Sequence, residues 1–89
     1  MSTVLTTLER MLQAGAEVKG FKPDGLTLEA KLRDEEAHGL DSIGRVEFIL
    51  ALEELFGISL DGEQVEELET VADLARYIKA QVAAKVATP

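Results

Sequence analysis

The stretch Gly39-Leu40-Asp41-Ser42-Ile43-Gly44-Arg45-Val46-Glu47-Phe48-Ile49-Leu50-Ala51-Leu52-Glu53-Glu54-Leu55-Phe56-Gly57-Ile58 decides the fold. From Ser42 to Phe56 its apolar residues are Ile43, Val46, Phe48, Ile49, Leu50, Leu52, Leu55 and Phe56. They recur at helical spacing and fill more than one stripe. Such a helix is covered on most of its circumference, or it keeps an apolar strip for a partner or a ligand. Gly57 stops it, and Asp41 or Ser42 can cap its start. Val46, Phe48, Leu52 and Phe56 are expected in the core with Leu68 and Leu74. Ile43 and Leu50 fit either the core or an exposed apolar patch. Glu47, Glu53 and Glu54 are expected on the exposed side.

Upstream, Val4, Leu5, Leu8, Met11 and Leu12 predict an amphipathic helix with one buried face, capped by Ser2 or Thr3 and ended by Gly15 to Gly20. The segment from Gly20 to Gly39 reads as a long loop with room for a short helical turn. Pro23-Asp24-Gly25 is a turn signal, and Leu26, Leu28 and Leu32 are the anchors that pin the loop to the core. Downstream, Ile58 and Leu60 tuck inward, and Gly62 to Leu68 predicts one or two helical turns. Thr70-Val71-Ala72-Asp73 reads as a capping box with Asp in place of Glu. It opens a last helix in which Val71, Leu74, Ala75 and Ile78 share a face, flanked by Tyr77. The tail from Val82 to Pro89 is expected to fray. No segment alternates like a strand. The predicted fold is all-α: one domain over residues 1–89, a bundle of three main helices plus one short helix.

The chain has 89 residues, no cysteine and a net charge of -8. Without cysteine there is no disulfide framework and no thiolate nucleophile or metal ligand. Residues 34–73 hold thirteen acids against Arg45 alone, a net -12. A block of this sign repels nucleic acid and anionic lipid. It attracts basic protein surfaces over roughly 8 Å at physiological salt. No secretory signal or membrane-length apolar run is visible, so a cytoplasmic location is expected. A serine-hydrolase reading of Ser42 fails, because Gly-x-Asp-Ser-x-Gly is not the nucleophile elbow and no strand precedes it. The Gly-Asp-Ser-Leu hydrolase pattern needs a larger scaffold and a distant histidine, and the one histidine here is His38. A calcium site lacks its Asp-x-Asp-x-Asp-Gly loop.

The run Asp41-Ser42-Ile43, the acidic and apolar helix ending in Glu53-Glu54-Leu55-Phe56, and the block from Glu69 to Ile78 together resemble the acyl carrier protein family. The resemblance covers residues 39–78 well and the first helix more loosely. It implies a non-catalytic carrier with 4'-phosphopantetheine, taken from coenzyme A, attached to Ser42. Acyl chains would ride on that arm as thioesters between enzymes of fatty-acid, lipid or secondary-metabolite synthesis. It further implies that Asp41 helps a phosphopantetheinyl transferase recognise the site. Ile43, Arg45, Glu47, Leu50, Glu53 and Glu54 would meet basic patches on acyl-loading and acyl-transferring enzymes, and the chain would act as a monomer. A peptidyl or aminoacyl carrier is the alternative within carriers, and an unmodified acidic helical interaction module is the alternative outside them.

Several positions depart from the family pattern. His38 stands where a leucine commonly precedes the motif glycine, and it reads as an exposed loop residue or a pH-sensitive contact beside the phosphate. Gly44 stands where an acid is common. Arg45 follows, and it can pair with Asp41 at i, i+4. The connection from Arg33 to His38 is about two residues longer than is typical of the family. These departures point to a specialised rather than a central carrier.

Overall fold

In a computed structural model residues 4–87 are described. Helix α1 spans Val4–Gly15, α2 Glu35–His38, α3 Ser42–Phe56, α4 Gly62–Glu67 and α5 Val71–Ala87, with a 3-10 turn at Pro23–Gly25. The three long helices are those predicted. The expected short helix is α4, and α2 is a second one inside the long loop. The Ser2 and Thr3 caps lie outside the described residues.

Helix α1 packs against α3 and α5. Its buried stripe runs through Thr7, Met11 and Ala14 at i, i+4 and i+7, with Val4 and Leu8 half-buried beside it. That stripe leaves Leu5 61% exposed, against the expectation that it joins the buried face. The core is Met11 and Ala14 from α1, Phe48 and Leu52 from α3, and Val71, Leu74, Ala75 and Ile78 from α5, with Val18, Leu26, Leu40 and Leu60 entering from the connections. Phe21 stacks on Phe48 with ring centroids 6.2 Å apart.

The loop from Gly20 to Gly39 is ordered because it completes another element. The first N–H groups of a helix have no partner within it. In α5 the Val71 N–H donates to the Ala30 carbonyl at 2.9 Å and the Ala72 N–H to the Leu28 carbonyl at 3.0 Å. The Leu32 N–H returns a bond to the Glu69 carbonyl at 2.9 Å. Leu26 is buried, as an anchor should be, and Leu28 and Leu32 are half-buried. The predicted capping box forms as well. The Asp73 N–H donates to Thr70 Oγ1 at 3.2 Å and the Thr70 N–H to Asp73 Oδ2 at 3.2 Å.

The expected fraying from Val82 does not occur within the described residues, since α5 continues to Ala87. Val82 is half-buried against the core, and Lys85 Nζ donates to the Gly57 carbonyl at 2.6 Å at the end of α3. Val46, expected in the core, is 61% exposed. It lies one turn from Ile43 on α3. Phe48, Leu52 and Leu74 are buried as expected, and Phe56 and Leu68 are half-buried.

The hydrogen bond from the Thr70 N–H is the largest of the effects that hold the Asp73 carboxyl below its ordinary range. Burial opposes it, and further contacts with Thr70, Glu69 and Arg76 add to the lowering. A carboxyl depressed in the folded state contributes stability above its unfolded pKa, and that contribution is lost as pH falls through the folded value. The stability advantage of the wild type over Asp73→Asn is therefore full at neutral pH and shrinks below about pH 4, measured by urea unfolding across pH. Thr70→Ala, which removes the other half of the box, costs about 1 kcal/mol.

Candidate functional site

Ser42 is the first residue of α3, and Asp41 is its cap. Asp41 is extended, with φ -77 and ψ -171, and its Oδ1 accepts the Gly44 N–H at 2.7 Å. Its carbonyl accepts the Arg45 N–H at 2.8 Å. Capping is thus done entirely by Asp41. The Ser42 side chain is exposed, and its hydroxyl has no hydrogen-bond partner among the described residues. A serine placed at a helix start to cap it would spend that hydroxyl on a backbone N–H. Here it is free to react.

The chain arrives at Ser42 through a clamped turn. Gly39 closes α2 in the left-handed conformation, φ 75, and donates its N–H to the Glu35 carbonyl at 2.7 Å. A Cβ at Gly39 would stand 2.1 Å from the Gly20 carbonyl oxygen. Only glycine allows these two loops to touch. The Lys22 N–H reaches the His38 carbonyl at 2.9 Å alongside.

His38 is 1% exposed, which corrects the reading of it as a loop residue in solvent. Its Nδ1 accepts the Leu40 N–H at 3.1 Å, and its Nε2 lies 2.8 Å from the Leu32 carbonyl. The Leu40 N–H can only donate and the Leu32 carbonyl can only accept. The ring is therefore neutral with its hydrogen on Nε2. With both nitrogens committed internally, His38 makes no contact beside Ser42. It fills a core position with a polar ring whose partners are both supplied. The signal that could have placed it was the leucine usual at this position.

The other candidates divide. Ile43 and Leu50 are 71% and 56% exposed, and with Val46 they form an apolar strip at i, i+3 and i+7 beginning beside Ser42. Glu47 and Glu54 are exposed. Glu53 is not free in the way expected. It is half-buried, and its Oε2 accepts the Leu60 N–H at 2.8 Å, fixing the α3–α4 connection. Arg45 forms no ion pair with Asp41. The ion pair among the described residues is Arg76–Asp73, at 3.1 Å.

Arg45 lines a cleft of about 440 Å³ instead, together with Ser42. Its walls are Val46, Ile49 and Leu50 of α3, Val65 of α4, and Leu32, Leu40, Leu68 and Leu74 around them. Arg33 and Glu66 line it too, and Arg33 Nη2 donates to the Glu66 carbonyl at 2.6 Å. An accessible, uncommitted hydroxyl at a helix start, opening onto an apolar cleft, suits a phosphate-linked arm with an apolar cargo.

A family model for the phosphopantetheine attachment site matches residues 9–78. An acyl carrier protein of Exiguobacterium sibiricum is 36% identical over 70 residues, covering 79% of this chain and 86% of that protein. An acyl carrier protein of Zymomonas mobilis is 35% identical over 72 residues, covering 81% of this chain and 90% of that protein. The chain belongs to the acyl carrier protein family, a class of helical domains that bear a phosphopantetheine attachment site. Its prosthetic group is covalent 4'-phosphopantetheine, and a phosphopantetheinyl transferase and acyl-handling enzymes are its partners. Among the described residues no helix is long and apolar enough to cross a membrane.

Because Asp41 caps α3 and Ser42 does not, the two differ in stability. Asp41→Ala lowers the unfolding free energy by about 1 kcal/mol. Ser42→Ala leaves it within about 0.5 kcal/mol. His38→Leu costs about 1–3 kcal/mol, because the buried Leu40 N–H loses its acceptor. Denaturant unfolding of the three variants checks the order.

Proposed function

We propose that Ser42 is the attachment point and that the chain works as a non-catalytic, monomeric, cytoplasmic carrier, a single domain over residues 1–89. The observation that carries this reading is the exposed Ser42 hydroxyl left unspent by the Asp41 cap. In the transferase, Ser42 Oγ displaces adenosine 3',5'-bisphosphate from coenzyme A and loses its proton to the enzyme. The group supplies the thiol that this cysteine-free chain lacks, and acyl chains ride on it as thioesters. Asp41 keeps the helix start formed while the transferase reads it.

Ile43, Val46 and Leu50 offer partners an exposed apolar strip, and Glu47 and Glu54 flank it with negative charge. Glu53 adds charge behind the strip while holding Leu60, and Arg45 makes the pattern particular to this chain. Charge complementarity of this kind speeds and orients encounters, and exposed contacts release quickly, which suits a shuttle. The cleft beside Ser42 shelters part of the acyl chain. Gly44 and Arg45 support a specialised carrier, serving one lipid or secondary-metabolite pathway.

Incubation with coenzyme A, magnesium and a broad-specificity phosphopantetheinyl transferase is expected to add the mass of one phosphopantetheine, and peptide fragmentation is expected to place it on Ser42. Ser42→Ala is expected to stay folded and gain nothing. Modification of folded Ser42→Ala, or of another residue in the wild type, would overturn the assignment.

A further inference from the structure

We propose that Arg45 holds the phosphodiester that joins the arm to Ser42, so that the arm leaves the helix start on the side of the cleft; the inference rests on Ser42 being the attachment point. Arg45 is the sole base among residues 34–73, surrounded in sequence by thirteen acids. An arginine so placed would ordinarily pair with one of them. Asp41, four residues before it, is in reach on the helix surface. Among the described residues Arg45 pairs with none. Its side chain is half-buried on the wall of the cleft, where Ser42 also stands.

Ser42 and Arg45 are three residues apart on one helix, a separation that sets their Cβ atoms about 5–6 Å apart. A phosphodiester bonded to Ser42 Oγ therefore lies within the span of an arginine side chain. Of the N–H groups at the helix start, those of Ser42 and Ile43 remain open to such a group. The Gly44 N–H is committed to Asp41 Oδ1 and the Arg45 N–H to the Asp41 carbonyl. The charge of a phosphodiester also meets a net -12 over residues 34–73. The Arg45 guanidinium is the counter-charge on hand, and its planar fork matches phosphate oxygens two at a time. Arg33, which also lines the cleft, already donates to the Glu66 carbonyl and adds positive potential there.

Held this way, the arm is directed along the cleft and away from Ile43, which stays open on the docking strip. Arg45 is thus a positioning residue that acts on the arm and takes no part in acyl chemistry.

The test compares the apo and holo forms by NMR. Intact mass first establishes that the arm is attached, and nitrogen-15 labelling of arginine follows the side-chain Nε–H signals, with Arg45→Gln and Arg45→Lys as apo proteins identifying the Arg45 signal. On conversion to the holo form the Arg45 Nε–H signal is expected to shift and to exchange with water roughly 1.5- to 5-fold more slowly, the range of a partly exposed ion pair. The shift should shrink at 1 M salt, where screening acts within about 3 Å. In holo Arg45→Gln the phosphorus-31 signal should move from its wild-type position, and Arg45→Lys should restore part of it. If the wild type gains no arm, both this inference and the Ser42 assignment are overturned. An arm on Ser42 with an unmoved Arg45 signal overturns this inference alone. So does an Arg45 signal that moves only after loading a carboxylate-terminated acyl group, since the anion would then be on the cargo.

Discussion

The hydrogen bond from the Gly44 N–H to Asp41 Oδ1 divides two jobs that one serine could not do together. A helix start needs a side-chain oxygen to take up an orphan N–H. An attachment site needs a hydroxyl that nothing else engages. Asp41 does the first, and the hydroxyl of Ser42, one residue on, is left open for the second in the proposed reading. Gly44 makes the arrangement compact. A Cβ there would stand 3.2 Å from Asp41 Oδ1 and 3.6 Å from Val18 Cγ1. The absence of the acid common at this position is thus a packing matter as well as a change in surface charge.

Behind the cap, the approach to Ser42 is held by groups that lie far apart in the chain. His38 joins Leu32 to Leu40, and Gly39 lies against Gly20. The Leu40 side chain is 2% exposed and pins the turn to the core. These contacts set the direction in which α3 begins, so the reactive hydroxyl stands on a fixed element with its surroundings already satisfied. The strip of Ile43, Val46 and Leu50 works the other way. Burying such side chains would stabilise the bundle by roughly 1.5–3 kcal/mol each. The fold leaves that stabilisation unused.

Most of this architecture was legible where a local rule acts alone. The periodicity from Ser42 to Phe56 and its glycine stop define α3 to the residue, and Thr70 and Asp73 announce their reciprocal cap. Ser42 and Asp41 stood out only through the resemblance of Asp41-Ser42-Ile43 and the helix after it to the acyl carrier protein family, since by local rules either residue could have been the cap. What could not be read depended on contacts between distant segments. Val46 looks like core in a helix that is apolar all round, because periodicity cannot say which side lacks a neighbour. His38 looks like a surface residue until Leu32 and Leu40 are brought to its two nitrogens. Lys85 prolongs α5 through a carbonyl 28 residues earlier. Arg45 looks ready to pair with Asp41, yet it stands half-buried on the cleft wall with no ion pair among the described residues. The cleft itself exists only once α3, α4 and the Leu32–Arg33 segment are together.

The last helix begins on carbonyls contributed by the loop, Ala30 for Val71 and Leu28 for Ala72. This has a kinetic consequence. Its first turn cannot be fully bonded until about forty residues have been drawn into a closed ring. The entropy of closing that ring must be met before the bonds repay it. A bundle of helices would otherwise be assembled from local contacts and fold fast. Here the order of events is constrained: α1 and α3 can form on their own sequences, whereas the start of α5 and the loop that leads to Ser42 must be acquired in the same step. The segment that leads to Ser42 and the segment that closes the core therefore mature together, and a chain with an unfinished carboxyl-terminal helix would also lack a finished approach to the proposed attachment site.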